Sequence, residues 1–173
     1  MDAISRVRDF LSKRGIPGGV WIALAAFAIV LAADQASKFY VVDGLNLKEV
    51  GSINVIDPYL NFRMAWNTGV NFGIGGGNPA VTRIPLIAFS ILFTIGALVF
   101  SRRSSTALQA AGLGVAAGGA LGNAIDRLNW GAVADFLNMS CCGFVNPWSF
   151  NVADIAIFAG IAMAFLFDGK SKT

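Results

Sequence analysis

The sequence predicts an all-α integral membrane protein with four transmembrane helices, both termini in the cytoplasm, and a small external β-rich segment between the first and second spans. Three observations support this fold class: the composition, four apolar stretches, and the distribution of lysine and arginine. Of the 173 residues, 55% are hydrophobic and only 13% are Asp, Glu, Lys or Arg, about half the usual charged fraction. So little charge cannot cover a water-exposed surface, and we expect most of the surface to contact lipid.

The whole chain, residues 1–173, is predicted to form a single membrane domain. Segment 1–14 places Ile4, Val7, Phe10 and Leu11 at helical spacing among charges, which favours a short helix on the cytoplasmic membrane surface. A cleaved signal peptide is the alternative, but the apolar stretch that follows is long for a signal core. Because a membrane-crossing helix needs about 20 mostly apolar residues, we place transmembrane helices at 18–40, 84–100, 106–127 and 151–168, and external segments at 41–83 and 128–150.

The orientation follows from lysine and arginine in the segments between spans, because these residues are retained on the cytoplasmic side. The net charge of +3 is therefore interpreted as membrane topology, and no nucleic-acid partner is expected. The predicted external segments are longer and carry Lys48, Arg63, Arg83 and Arg127, with Lys38 near their edge. The predicted cytoplasmic segments carry Arg6, Arg8, Lys13, Arg14, Arg102, Arg103, Lys170 and Lys172.

The first external segment contains two β-prone runs, 53–56 and 60–66, interrupted by Asp57-Pro58. They predict a small sheet at the membrane surface. The glycine-rich run 73–79 lacks the Lys and Ser/Thr of a phosphate-binding loop, so we expect a turn or flap there. In the second external segment, residues 132–137 are expected to be a loop, and the adjacent Cys141 and Cys142 are either free thiols or a vicinal disulfide.

Polar residues of three spans lie at one predicted depth, near the external ends. Ionisable groups at that depth are costly to bury and by default indicate a functional site, although anchoring at the water boundary is an alternative for any one residue. Asp34 and Lys38 have the i, i+4 spacing of a helical ion pair. Gly118 and Gly122 lie four residues apart, which lets a neighbouring helix approach closely and predicts a central position for the third span. The polar residues at this depth are Asp34, Lys38, Asn123, Asp126, Arg127, Asn151 and Asp154.

The external carboxylates outnumber their obvious cations. Asp34 has Lys38, and Asp126 can be met by Arg127 or a neighbour, whereas Asp135 and Asp154 have no evident partner. Two carboxylates in a partly apolar site share one proton, so one can act as a general base towards water and the other as a general acid towards a carbonyl. This is the chemistry of aspartic peptide hydrolysis, and it needs no metal or other cofactor. A dyad that uses Asp126 remains open, whereas catalysis by a histidine is excluded because the chain has none.

Five motifs contain most of these polar residues. They are Asp34-Gln35-Ala36-Ser37-Lys38, Asn67-Thr68-Gly69-Val70-Asn71-Phe72-Gly73, Gly119-Ala120-Leu121-Gly122-Asn123-Ala124-Ile125-Asp126-Arg127, Val133-Ala134-Asp135-Phe136 and Phe150-Asn151-Val152-Ala153-Asp154. In these motifs and in their order the chain resembles the lipoprotein signal peptidase (signal peptidase II) family. Where the family usually has a small apolar residue, this chain has Asn71, so the role of position 71 stays open.

The resemblance implies an endopeptidase that removes the signal peptide from diacylglyceryl-modified prolipoproteins, cutting before the lipidated cysteine. It implies a multi-pass protein of the bacterial inner membrane, with its site towards the periplasmic face and membrane lipids as neighbours. We expect a monomer. The family pattern places the catalytic dyad on Asp135 and Asp154. It places substrate-binding or supporting groups at Asp34, Lys38, Asn67, Gly69, Asn123, Asp126, Arg127 and Asn151.

The sequence leaves three alternative functions: a peptidase with a serine nucleophile, a transporter and a structural scaffold. Ser37 and Lys38 could form a nucleophile and base pair, but neighbours in a helix point about 100° apart. A small proton-coupled transporter also uses intramembrane Asp, Asn and Lys residues, although transporter sites commonly lie near mid-bilayer between repeats. A structural scaffold would leave Asp135 and Asp154 unexplained.

Overall fold

A computed structural model of the protein describes residues 15–69 and 79–169. The predicted surface helix at 1–14, Asn71 and residues 73–78 of the glycine-rich run lie outside the described residues, whereas Pro79 begins a helix. The elements in chain order are α1 (Gly19–Lys38), a π-helical turn (Phe39–Gly44), α2 (Leu47–Val50), β1 (Ser52–Ile56), β2 (Leu60–Asn67), α3 (Pro79–Ser101), α4 (Ala107–Trp130), β3 (Val133–Asn138) and α5 (Val152–Leu166).

Three described helical segments are long and apolar enough to cross a membrane, namely Gly19–Gly44, Thr82–Ser101 and Ala107–Trp130. The fourth apolar helix, α5, has only 15 residues, which corresponds to about 22 Å. It is shorter than the predicted span 151–168, because Asn151 caps its first turn and Phe150 is still paired with Leu137 in an extended segment. Helix α4 continues at its C-terminal end beyond the predicted residue 127 to Trp130. It stops at Gly131, whose φ is +80°.

Helix α4 is the centre of the bundle and packs against α1, α3 and α5. Small residues make these contacts close: a Cβ added to Gly118 would lie 2.7 Å from the carbonyl oxygen of Phe27 in α1, and one added to Gly112 would lie 2.7 Å from the carbonyl oxygen of Gly160 in α5. The central position predicted from the spacing of Gly118 and Gly122 is therefore confirmed.

The strands form a three-stranded antiparallel sheet in the order β1-β2-β3. The two β-prone runs form β1 and β2 as predicted. The prediction of a loop at 132–137 was wrong, because Val133–Asn138 forms the third strand beside β2. The strand is stable because Ala134 and Phe136 are buried against Val41, Val42 and Leu47. The sheet therefore combines residues from both of the segments predicted to be external, whereas the sequence placed it within the first.

The connection from β3 to α5 is held to the sheet by side-chain hydrogen bonds. The Nδ2 of Asn138 donates to the carbonyl oxygens of Asn146 and Trp148, at 2.9 and 2.7 Å. Cys141 and Cys142 in this connection are exposed free thiols, so the structure has the free-thiol alternative.

The close contact at Gly118 yields a stability prediction. Gly118→Ala is expected to destabilise the protein by about 1–3 kcal/mol, because the new methyl group collides with the α1 backbone. Gly96→Ala is the matched control, since a Cβ at Gly96 in α3 meets nothing within 4 Å and alanine favours the helix. Thermal unfolding in detergent measures both variants, and equal melting temperatures would contradict the close-packing argument.

Candidate active site

A buried lysine joins two carboxylates at the end of the bundle that carries the sheet. The Nζ of Lys38 lies 2.8 Å from Oδ2 of Asp34 and 2.7 Å from Oδ2 of Asp126. Each of these three side chains is at most 1% exposed. The ion pair expected between Asp34 and Lys38 is present. Of the two alternatives left open for Asp126 of α4, Arg127 or a neighbour, the structure has the neighbour, because Lys38 of α1 also meets Asp126. A buried charge is tolerated only with such partners.

Asp34, Lys38 and Asp126 form a buried triad, and each of its two carboxylates also accepts a hydrogen bond from a backbone N–H group of another element. The Oδ1 of Asp34 accepts a hydrogen bond from the backbone N–H of Ala153 at 3.0 Å. The Oδ2 of Asp126 accepts one from the backbone N–H of Ala134 at 3.2 Å. Ala153 and Ala134 immediately precede Asp154 and Asp135 in the chain, so the triad fixes the backbone beside both of these aspartates.

Gln35 is a member of this cluster that the spacing analysis did not identify as a site residue. Its Nε2 donates to Oδ2 of Asp34 at 3.1 Å and to Oδ1 of Asp126 at 3.2 Å. The amide therefore supplies a second link between the two carboxylates. Gln35 follows Asp34 directly in the first motif, and this position was the sequence signal that could have identified it. It was missed because a neutral side chain does not enter a comparison of carboxylates with cations.

Asp135 lies on β3, where only 3% of it is exposed. Its Oδ1 accepts a hydrogen bond from Nδ2 of Asn151 at 2.6 Å, and its Oδ2 accepts one from Nδ2 of Asn67 at 3.0 Å. Burial, and after it the negative charge of Asp154, raise the pKa of Asp135 to about 6, against the opposing effect of the two amides and Lys38. The two carboxyl groups therefore interact.

Asp154 lies in the first turn of α5 and is half-buried. Its Oδ1 accepts a hydrogen bond from Nδ2 of Asn123 at 3.0 Å, and its Oδ2 accepts one from the backbone N–H of Asn151 at 3.2 Å. The Oδ1 of Asn151 accepts a hydrogen bond from the backbone N–H of Asp154 at 3.0 Å, and the two reciprocal hydrogen bonds form a capping box. Asn151 thus bonds to both aspartates, one through its side-chain amide and the other through its cap.

Asn123 joins the triad to this pair of aspartates. Its Oδ1 accepts hydrogen bonds from Nδ2 of Asn151 at 3.2 Å and from Nζ of Lys38 at 3.4 Å, while its Nδ2 donates to Asp154. Because both ends of the amide are engaged, its orientation is fixed by the network.

Arg127 and Gly69 lie at the rim of this site. The Nη1 of Arg127 donates to the carbonyl oxygen of Asn123 at 3.3 Å, while its buried Nε has no hydrogen-bond partner in the described structure. Gly69 has a φ of +89°, and its N–H donates to Oδ1 of Asn67 at 2.8 Å, which turns the Nδ2 of that amide towards Asp135. The positive φ requires glycine.

All ten residues predicted for the site are thus brought together at one end of the bundle. The geometry argues against a Ser37 nucleophile, because its Oγ donates to the carbonyl oxygen of Asp34 at 2.7 Å and the neighbouring Lys38 is held by two carboxylates. Within residues 15–69 and 79–169, no group of three or more His, Cys, Asp or Glu side chains could hold a metal ion. The arrangement brings two electrostatically interacting carboxyl groups, Asp135 and Asp154, to one place, where they can act on water and a carbonyl group.

The chain is similar to known proteins over most of its length. A family model described as signal peptidase (SPase) II matches residues 26–168. A lipoprotein signal peptidase of Rhodopseudomonas palustris is 38% identical over 152 residues, which covers 86% of this chain and 92% of the relative. One of Methylorubrum extorquens is 41% identical over 141 residues, covering 80% of each.

Two solved structures described as bacterial membrane enzymes have the same fold. The first has a TM-score of 0.70 at 26% identity and covers 93% of this chain and 95% of its own. The second has a TM-score of 0.72 at 24% identity, with coverages of 93% and 98%, and supports the fold alone.

The shared lysine generates a prediction for stability. Lys38→Met is expected to destabilise the protein by about 3–5 kcal/mol, because it leaves two buried carboxylates without a cation. Adding Asp34→Asn and Asp126→Asn to Lys38→Met removes the stranded charges and should restore part of the loss. Thermal unfolding at neutral pH measures both effects. A Lys38→Met protein as stable as the wild type would show that the triad is dispensable.

Proposed function

Because the chain belongs to the signal peptidase II family, we propose that it removes the signal peptide from diacylglyceryl-modified prolipoproteins, cutting before the lipidated cysteine with Asp135 and Asp154 as the catalytic dyad. As a member of that family the protein is a hydrolase of the aspartic peptidase type, which favours this function over proton-coupled transport. One observation carries the dyad assignment: two aspartates from different elements are held by one asparagine, and the charge of Asp154 raises the pKa of Asp135.

The environments of the two carboxyl groups support different roles. Asp154 accepts two N–H donors in the first turn of α5, where the helix dipole favours a negative charge. Asp135 is buried, and its raised pKa favours the protonated form. Asp154 therefore acts as the general base and Asp135 as the general acid. Asp126 is unsuited to either role, because it is fully buried and paired with Lys38.

The reaction proceeds without a covalent enzyme intermediate. Asp154 takes a proton from water, the water oxygen bonds to the scissile carbonyl carbon, and Asp135 donates its proton to the carbonyl oxygen, which gives a tetrahedral diol. The diol then collapses: the C–N bond breaks, the proton held by Asp154 passes to the leaving amine, and Asp135 regains its proton from the diol. Fixing water and peptide between the two carboxyl groups supplies the orientation that catalysis requires.

The supporting residues are assigned by their contacts. Asn67 and Asn151 orient Asp135, while Asn123 orients Asp154. Gly69 fixes the amide of Asn67. Arg127 offers an unpaired guanidinium N–H beside the dyad, suited to a substrate carbonyl oxygen. The triad of Asp34, Lys38 and Asp126 positions the backbone before each aspartate.

The topology is part of the proposal. Residues 1–173 form one membrane domain with four spans, both termini in the cytoplasm, and the site near the periplasmic face of the inner membrane. The lysine and arginine distribution supports this orientation. The short helix α5 crosses with the help of the polar residues at its ends, which can reach the interface. The enzyme acts as a monomer among membrane lipids.

The dyad assignment predicts that Asp135→Asn and Asp154→Asn each lower cleavage by about 10²- to 10⁴-fold while leaving the protein folded. The amide keeps the size of the side chain but can neither accept nor donate the required proton. The assay is cleavage of a diacylglyceryl-modified prolipoprotein peptide by the purified protein in lipid. Asp43→Asn, in an exposed ion pair with Lys48, is the matched control. Full turnover by Asp135→Asn would contradict the assignment.

The raised pKa of Asp135 predicts the pH profile. Asp135 keeps its proton below about pH 6 and loses it as the pH rises, so kcat/KM should fall above about pH 6 with an apparent pKa that belongs to the pair. The decrease of kcat should occur at higher pH than that of kcat/KM, because bound substrate excludes water and further disfavours ionisation of Asp135. Initial rates measured from about pH 5 to about pH 8 give the pH dependence of both kcat and kcat/KM. A kcat/KM that is constant over this range would contradict the role of Asp135 as acid.

A further inference from the structure

The two cysteines of the chain lie side by side in an exposed turn. Cys141 and Cys142 are the only cysteines in the sequence, and both are exposed free thiols. The backbone N–H of Phe144 donates to the carbonyl oxygen of Cys141 at 2.8 Å, which closes a four-residue turn. The central residues, Cys142 and Gly143, have φ values of +57° and +82°, as in the type I′ turns of β-hairpins.

This turn holds the two thiols against each other. A left-handed backbone at the second position of such a turn favours asparagine, aspartate or glycine, yet this chain has Cys142 there. A hydrogen bond between the two side chains raises the pKa of the Cys141 thiol. The turn therefore presents two sulfur atoms to water as a neighbouring pair.

The loop that carries the turn is anchored at its base and open at its tip. The Oγ of Ser140 accepts a hydrogen bond from the backbone N–H of Asn146 at 3.0 Å, and the amide of Asn138 holds the carbonyl oxygens of Asn146 and Trp148. By contrast, a Cβ added to Gly143 would meet nothing within 4 Å. The tip can therefore change its backbone while the anchored base keeps its place beside β3.

A second thiol beside an exposed one has a chemical use in the setting of the proposed topology. That topology places segment 128–150 on the periplasmic side, where disulfides form and persist. A single exposed thiol there forms mixed disulfides with small thiols or with other proteins. A neighbouring thiol removes them rapidly, because its attack is intramolecular and its effective concentration is high.

We propose that Cys141 and Cys142 are a self-resolving thiol pair, in which each thiol releases any partner that forms a disulfide with the other. The oxidant is a small disulfide of the glutathione class, R–S–S–R. The thiolate of one cysteine attacks it, a protein–S–S–R bond forms, and the first R–S⁻ leaves. The thiolate of the other cysteine then attacks the protein sulfur of this mixed disulfide, and the second R–S⁻ leaves. The protein loses two electrons and two protons, and the oxidant becomes two R–SH molecules.

The closed form of the pair should be easy to reopen. Consecutive Cα atoms lie about 3.8 Å apart across a trans peptide bond, whereas disulfides usually join Cα atoms about 4.4–6.8 Å apart. A ring closed between neighbouring residues is therefore strained, and strained disulfides are readily reduced. The pair can thus return to its dithiol form and act again.

The first test treats purified protein in detergent with glutathione disulfide and measures the mass of the intact chain. Cys141→Ser and Cys142→Ser should each retain one bound glutathione, because the resolving thiol is absent. The wild type should lose the mass of two hydrogen atoms, and its glutathione adduct should be at least about tenfold less abundant. Reduced glutathione should then restore the starting mass. An unreactive wild type, an adduct as abundant as in the serine variants, or a ring that reduced glutathione leaves closed would overturn the proposal.

The second test follows disulfide links between copies of the chain. In concentrated protein treated with glutathione disulfide, either serine variant should form a disulfide-linked dimer on a non-reducing gel, because only another molecule can attack its mixed disulfide. The wild type should remain monomeric on the gel. The double variant Cys141→Ser/Cys142→Ser is the control and should show neither adduct nor dimer. Equal amounts of dimer in the wild type and the single variants would contradict self-resolution.

The side of the membrane is tested separately. A membrane-impermeant maleimide should label the wild type in intact spheroplasts and should not label the double serine variant. Labelling of the wild type only after lysis would place the turn in the cytoplasm and overturn the oxidising setting. None of these tests measures peptide cleavage, so the proposal goes beyond the proposed function, and either can fail while the other stands.

Discussion

The structure of the site depends on one buried lysine. Lys38 neutralises Asp34 of its own helix and Asp126 of α4 within 2.8 Å, and these carboxylates then hold the backbone N–H groups of Ala153 and Ala134. Because the two amides belong to different elements, the triad brings the start of α5 and the strand β3 to the same place. Without this cation the carboxylates of Asp34 and Asp126 would repel each other, and the backbone beside the proposed dyad, Asp135 and Asp154, would no longer be held in place.

Close helix contacts make this arrangement possible. A Cβ at Gly122 would collide with Oδ2 of Asp34, so the glycine lets the Asp34 carboxylate reach α4. Asn151 links two elements on the other side of the site, because it caps α5 and donates a hydrogen bond to Asp135 of β3. The same few residues therefore determine both how the helices pack and how the polar side chains are placed. Their hydrogen bonds leave little freedom for Asp135 or Asp154 to move.

Much of the fold and of the site could be predicted from the sequence, because membrane spans and intramembrane charges give strong local signals. The apolar stretches located α1, α3 and α4, and the excess of carboxylates singled out Asp135 and Asp154. Strand β3 was missed because its stability comes from distant partners, Val41 and Leu47, which no local pattern reveals. The sharing of Lys38 was missed for the same reason, since Asp126 reaches it only when α1 and α4 pack.

The i, i+4 arrangement of Asp34 and Lys38 has a consequence for biogenesis. The chain is made from its N-terminus, so α1 enters the bilayer before Asp126 and α5 exist. During that interval Lys38 has Asp34 one helical turn away, and the local pair reduces the penalty of placing a lysine in lipid. The second carboxylate arrives with α4, and Asp154 arrives last. Because the proposed dyad includes Asp154, we expect the nascent protein to be inactive until α5 has inserted.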